Sequence, residues 1–210
     1  MKKQIELFIF NLKKDMWVYI GIIGILYIVV VPLFMYKIDD YIYLGYDVET
    51  SLFALMQRIL FMFIISFQYF MFQIYVKSEM KELSLILDLK SKWVYLFIEC
   101  MFFHIVLLPL YILINIKVGN MINIFAIFLF QSFVLSSIFY LLSMSMRSSL
   151  LSLGIIVCYI LIFSYFENII SLFIIEESVP LISYTYFIKW IFIMIFNLII
   201  GRKFEKKFKK

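Results

Sequence analysis

Long apolar stretches alternate with short polar ones along the whole chain, and this pattern predicts helices that cross a membrane. A helix needs about 20 apolar residues to cross a hydrocarbon core of about 30 Å. On that length, the apolar part of residues 17–200 predicts six transmembrane helices joined by short loops. We therefore expect an all-α integral membrane protein with a single transmembrane domain over residues 1–210. The predicted spans are residues 17–35, 52–76, 94–116, 121–144, 150–166 and 187–200.

Four segments outside the spans have patterns of their own. Residues 1–16 place apolar side chains at helical spacing among lysines, which is typical of an interfacial helix lying in the membrane surface. Residues 36–50 form a polar, tyrosine-rich stretch that predicts a loop. Residues 169–175 are apolar but too short to cross, so we expect a re-entrant or interfacial segment between the fifth and sixth spans. Residues 201–210 predict a basic tail.

Composition supports a membrane protein and excludes several soluble classes. Hydrophobic residues make up 65% of the chain and charged residues 16%, whereas globular domains are roughly half apolar and a quarter charged. Disordered, nucleic-acid-binding and disulfide-scaffold proteins are excluded despite the net charge of +5. The lipid bilayer is therefore the expected surrounding of most of the chain, and no nucleic-acid partner is expected.

The positions of the basic residues predict the orientation in the membrane. With an inside N-terminus and six spans, fifteen of the 19 lysines and arginines fall on the inner side. The outer loops contain only Lys37 and Lys117. Since basic residues favour the cytoplasmic side, both termini are predicted to be cytoplasmic, in a multi-pass protein of the cell membrane.

The residue inventory offers no catalytic site. The six glycines form no phosphate-binding loop, and no nucleophile elbow is present, so we expect neither an enzyme nor a cofactor held by this chain. His104 and Glu99 lie on different faces of the third span and cannot form a zinc pair. His104 is favoured as a hydrogen-bonded residue between helices. Glu99 would take up a proton or find a cation, and its role stays open.

Polar side chains within two spans form a candidate functional surface. Gln57 and Gln68 are eleven residues apart, which puts them on nearly the same face of the second span. Gln131 and Ser136 give the fourth span a polar patch. The favoured interpretation is hydrogen bonding between helices that fixes their packing. The alternative is a polar stripe that faces a translocation path.

The segment between the second and third spans carries the most information about function. Residues 77–93, called the coupling segment below, are charged at both ends and have five aliphatic residues within seven positions. Asp88 and Lys92 form an i,i+4 pair that supports a helix. This pattern predicts a short amphipathic helix against the cytoplasmic membrane face, presenting charge to whatever lies below it.

These features together resemble the membrane subunit of type-2 ATP-binding-cassette (ABC) exporters. The resemblance covers the interfacial N-terminal helix, six spans with both ends inside, the coupling segment and the interrupted stretch before the last span. Lys90 stands where that family often has proline, and the glycine common before the leucines is absent. By this resemblance, the residues that would contact an ATPase are Glu79, Lys81, Glu82, Leu83, Leu87 and Asp88.

The resemblance implies a permease subunit that moves substrates with energy from another protein. Its expected partners are a separate ATP-binding subunit, which would hold Mg-ATP, and a second permease subunit, identical or different. The implied substrates are hydrophobic or amphipathic molecules such as antimicrobial peptides or drugs, and the composition is typical of Gram-positive bacteria. Two alternatives stay open: the substrate-binding membrane component of an energy-coupling-factor vitamin importer, and a non-transporting membrane immunity protein.

Overall fold

The described part of the chain is entirely helical in its regular structure. A computed structural model describes residues 2–76, 92–119, 121–165 and 184–208. Within these ranges there is no strand, which confirms the predicted all-α fold class for them. The helices are α1 Lys2–Lys14, α2 Met16–Ile25, α3 Val31–Leu44, α4 Val48–Val76, α5 Lys92–Val118, α6 Ile122–Met146, α7 Ser149–Tyr165 and α8 Tyr184–Phe208, with a π-helical turn Leu26–Val30 between α2 and α3.

Several of these helices have the length and the composition of membrane spans. Among the described residues, four helical segments are long and apolar enough to cross a membrane, and they fall on the first four predicted spans. Helix α7 is also apolar but shorter, at 17 residues. The four segments are Met16–Leu44, Val48–Phe70, Lys92–Val118 and Ile122–Met146.

The first helical segment extends further than the sequence pattern predicts. The loop predicted over residues 36–50 is wrong for residues 36–44, because α3 continues to Leu44, and for residues 48–50, because α4 begins at Val48. Aspartates in this stretch are balanced by cations: Asp39 pairs with Lys117 of α5 at 2.6 Å, and Asp40 pairs with Lys37 at 3.0 Å. Gly45, at φ +70°, then ends the helix in the left-handed conformation that glycine adopts readily. Only a short turn remains between α3 and α4.

The predicted basic tail is also helical over most of its length. Helix α8 continues to Phe208 and so includes residues 201–208 of the predicted basic tail. The reason is a tertiary contact: Glu205 is buried and accepts a hydrogen bond of 2.6 Å from the Tyr140 hydroxyl of α6. The predicted re-entrant segment, residues 169–175, lies outside the described residues.

The π-helical turn Leu26–Val30 contacts α5 close to Pro109, where the hydrogen bonding of that helix is interrupted. In the π-helical turn, the Tyr27 hydroxyl donates a hydrogen bond to the backbone carbonyl of Val106. That carbonyl lies in the turn preceding Pro109, where the missing N–H of proline weakens the helical ladder. The two irregularities therefore support each other across a helix interface.

Helix α1 lies at one end of the bundle, together with the ends of α4, α5, α6 and α8. Asn11 of α1 donates a hydrogen bond of 2.7 Å to the Tyr95 hydroxyl near the start of α5. Phe72, near the end of α4, packs edge-on against Tyr140 of α6, which in turn bonds Glu205 of α8. The coupling segment, which joins the end of α4 to the start of α5, therefore begins and ends at this same end, here called the α1 end.

Candidate functional site

A row of serines on α6 forms the centre of a buried polar network. Each hydroxyl donates to a carbonyl of its own helix, Ser132 to Phe128 at 2.7 Å and Ser136 to Ser132 at 2.7 Å. Ser137 likewise donates to Val134 at 2.6 Å. Because each donor is satisfied locally, the hydroxyl oxygens remain able to accept hydrogen bonds from neighbouring helices.

The four polar residues predicted in the second and fourth spans meet in two pairs. The Gln57 amide donates to the Gln131 carbonyl oxygen at 2.9 Å. The Gln68 amide donates to the Ser136 hydroxyl at 2.6 Å, and all four side chains are buried. Both glutamines of α4 therefore face α6, as their spacing predicts. Their partners follow the same order along α6, so α4 and α6 run parallel.

Gln68 connects a third helix to this pair. Its amide also lies 3.4 Å from the backbone carbonyl of Leu96 in α5, while its own carbonyl oxygen is buried without a hydrogen-bond partner among the described residues. One side chain thus joins α4, α5 and α6. A buried unpaired oxygen carries a desolvation cost of about 1–3 kcal/mol, so the interior here is not fully satisfied.

His104 is hydrogen-bonded between helices, as predicted. Its Nδ1 lies 2.9 Å from the Tyr111 hydroxyl, and its Nε2 lies 2.9 Å from the Ser132 hydroxyl of α6. Ser132 donates its only hydroxyl proton to the backbone carbonyl of Phe128. Its oxygen must therefore accept a hydrogen bond from the imidazole. This assigns the proton to Nε2 and makes Nδ1 the acceptor from Tyr111.

Glu99 is the least satisfied charged residue of the network. It is fully buried, and neither carboxylate oxygen has a well-formed hydrogen bond within the described ranges. The Tyr95 hydroxyl, one turn earlier on α5, accepts a hydrogen bond of 2.7 Å from Asn11. A buried carboxylate in this state, on an apolar helix long enough to cross a membrane, marks a candidate functional position.

Two polar residues of α8 were missed by the sequence argument. Asn197 donates to the Ser137 hydroxyl at 3.2 Å, and Glu205 accepts from Tyr140. Gly201 lies between them and contacts the Tyr140 ring closely. Residues 197, 201 and 205 are spaced by four, which places them on one helical face. That spacing was the available signal, and it was hidden by the division of this helix into a span and a tail.

Two open clefts lie on the surface of the described part of the chain. An open cleft of about 390 Å³ lies at the turn between α3 and α4, with Arg58 in its wall. Its other lining residues are Tyr41, Tyr46, Thr50, Ser51, Ala54 and Leu55. A more apolar cleft of about 540 Å³ lies between α6 and α8 and includes Phe192 and Asn197. No group of three metal-binding side chains occurs in the part of the chain that the structure describes.

The six residues predicted to contact an ATPase belong to the coupling segment. Glu79, Lys81, Glu82, Leu83, Leu87 and Asp88 lie outside the described residues. The described flanks are Val76, where α4 ends, and Lys92, where α5 begins. Lys92 is buried at the α1 end of the bundle, with 3% of its surface exposed. The coupling role of the segment therefore rests on its sequence and on the position of its two flanks.

Comparison with known proteins adds no relative: no protein family, curated protein or solved structure matches this chain.

Proposed function

We propose that this chain is the permease subunit of an ABC exporter in the plasma membrane of a Gram-positive bacterium. It would cross the membrane six times with both termini in the cytoplasm. A separate ATP-binding subunit would supply the energy, and a second permease subunit would complete the pore. The observation that carries this proposal is the charged, leucine-rich coupling segment between two apolar helices that are long enough to span.

The distribution of charge supports the proposed orientation. The α1 end of the bundle receives Lys13 and Lys14 from the end of α1, and four basic residues from the last turns of α8. At the opposite end, Lys37 and Lys117 are each paired with an aspartate. An excess of basic residues at one end is the pattern expected of the cytoplasmic side.

The helix contacts suggest how a displacement of the coupling segment would be transmitted to the other helices of the bundle. The segment joins α4 directly to α5, so a partner bound beneath it would act on both helices at once. Gln68 bonds α4 to α5 and α6, and α6 is bonded to α8 through Ser137 and Tyr140. Movement of these helices as packed bodies is an established form of conformational switching.

We expect the tagged chain, purified from its native host in mild detergent, to bring an ATP-binding subunit with it at equal stoichiometry. Replacing Glu82 or Leu87 with alanine should lower that recovery and uncouple ATP hydrolysis from the export of an amphipathic peptide in inverted vesicles. Matched controls are Glu49→Ala, an exposed acid at the opposite end, and Leu113→Ala, an exposed leucine of α5. Both controls should retain coupling.

Other outcomes of the same purification would contradict the proposal. A bound vitamin without an ATPase would indicate the substrate-binding component of a vitamin importer. Recovery of the chain alone, with cells still protected against an amphipathic peptide, would indicate a non-transporting immunity protein. Coupling that is unchanged in both Glu82→Ala and Leu87→Ala would exclude the coupling segment as the contact with the ATPase.

A further inference from the structure

Several polar atoms near Glu99 are buried and lack partners. Both oxygens of Glu99, the Gln68 carbonyl oxygen and the Tyr19 hydroxyl all lack a formed hydrogen bond in the described ranges. Tyr19 is 1% exposed, and Gln68 and Glu99 are fully buried. The aromatic ring of Phe67, the neighbour of Gln68 on α4, packs against Tyr19 at 5.2 Å. Three helices, α2, α4 and α5, therefore bring unsatisfied oxygens into one region.

The polar groups that α2, α4 and α5 bring near Glu99 among the described residues are neutral or acidic, and Lys92, the next basic residue on its own helix, lies two turns away. On its own helix, the Tyr95 hydroxyl and the Cys100 thiol are its ionisable neighbours. From α2, the Tyr19 hydroxyl interacts electrostatically with Glu99 and also with Asp15. From α4, the nearby polar group is the Gln68 amide, whose nitrogen already bonds Ser136. An isolated carboxylate among such groups is costly to keep ionised.

We infer that Glu99 is a proton-binding site, in which the carboxyl group holds one exchangeable proton. Binding forms an O–H bond on a carboxylate oxygen of Glu99 and requires no cation and no cofactor. Asp15, half-exposed at the junction of α1 and α2, lies one helical turn before Tyr19 at the α1 end. The Tyr19 hydroxyl, buried on α2 without a hydrogen-bond partner among the described residues, is the polar group through which we expect the proton to exchange. This site functions independently of any ATPase.

Infrared spectroscopy of the purified protein at neutral pH tests the site directly. A protonated carboxylic acid has a C=O stretching band distinct from that of a carboxylate, and the band shifts in D₂O. We expect this band in the wild type, in Glu49→Gln and in Glu205→Gln, whose acid is buried but bonded to Tyr140. The band should be lost in Glu99→Gln and displaced, but kept, in Glu99→Asp.

Tyr19→Phe tests the exchange route separately. The acid band should remain, but its shift after rapid mixing with D₂O should be slower than in the wild type. Tyr36→Phe, a change to an exposed tyrosine, should leave the rate unchanged. Absence of the acid band from the wild-type spectrum, or its persistence in Glu99→Gln, would overturn the proton site. If Glu99→Gln fails to fold, the presence or absence of the acid band in the wild-type spectrum still tests the proton site.

Discussion

Replacing Gly201 with alanine is expected to lower the free energy of unfolding by about 1–3 kcal/mol, the usual cost of overpacking a filled interior. A Cβ atom at this position would lie 2.5 Å and 2.7 Å from two ring carbons of Tyr140. The ring has little freedom to move, because its hydroxyl bonds Glu205 and its face packs near Phe72. Unfolding in mixed detergent micelles, followed by circular dichroism, measures the change.

Gly154→Ala is the matched control for this prediction. A Cβ at Gly154 would have no atom within 4 Å, so the change adds no clash. Alanine favours a helix over glycine by up to about 1 kcal/mol, and the control should therefore be neutral or slightly stabilising. A Gly201→Ala protein that is as stable as the wild type would show that α6 and α8 do not approach each other as described.

Replacing Gln131 with leucine is expected to cost about 1–3 kcal/mol, because it leaves the buried amide of Gln57 without its acceptor. Gln57→Leu should cost a similar amount for the converse reason. The double variant removes both polar groups and should lose less stability than the two single variants together. The same micelle unfolding assay, applied to all four proteins, gives the coupling free energy between the two residues.

Gln73→Leu provides the comparison for these glutamines. Gln73 lies on α4, as Gln57 does, but is only half-buried. Leucine at position 73 should therefore change the free energy of unfolding less than leucine at position 131. Strict additivity of Gln57→Leu and Gln131→Leu would mean that the two side chains do not interact. That result would leave Gln68 to Ser136 as the described side-chain hydrogen bond between α4 and α6.

Hydropathy predicted the apolar helices well but placed two of their ends wrongly. Aspartates at 39 and 40 resembled a loop because hydropathy takes no account of the lysines that neutralise them, even though Lys37 lies only three residues before Asp40. One of those lysines, Lys117, lies far along the chain on α5. The basic residues after Gly201 resembled a tail for the same reason. Whether a charged stretch stays helical depends on contacts such as Tyr140 to Glu205, which hydropathy does not include.

The sequence predicted which helix faces carry the polar residues of the candidate site, but not which side chains bond to each other. Helical spacing put Gln57 and Gln68 on one face, and both do face α6. The spacing could not say that Gln131 and Ser136 would be the partners, since that depends on how the helices are aligned. The region around Glu99 was less predictable still. It depends on Tyr19, 80 positions earlier, whose hydroxyl carries no signal in an apolar stretch.

Cysteine accessibility in intact cells tests the proposed orientation, on which the coupling mechanism depends. Single cysteines would be introduced by Lys81→Cys and by Tyr43→Cys, after Cys100→Ala and Cys158→Ser remove the native thiols. Tyr43, 88% exposed, lies at the end opposite α1. A membrane-impermeant maleimide should label position 43 in intact cells, and position 81 only after permeabilisation. Labelling of position 81 in intact cells would put the coupling segment outside, beyond the reach of any ATPase.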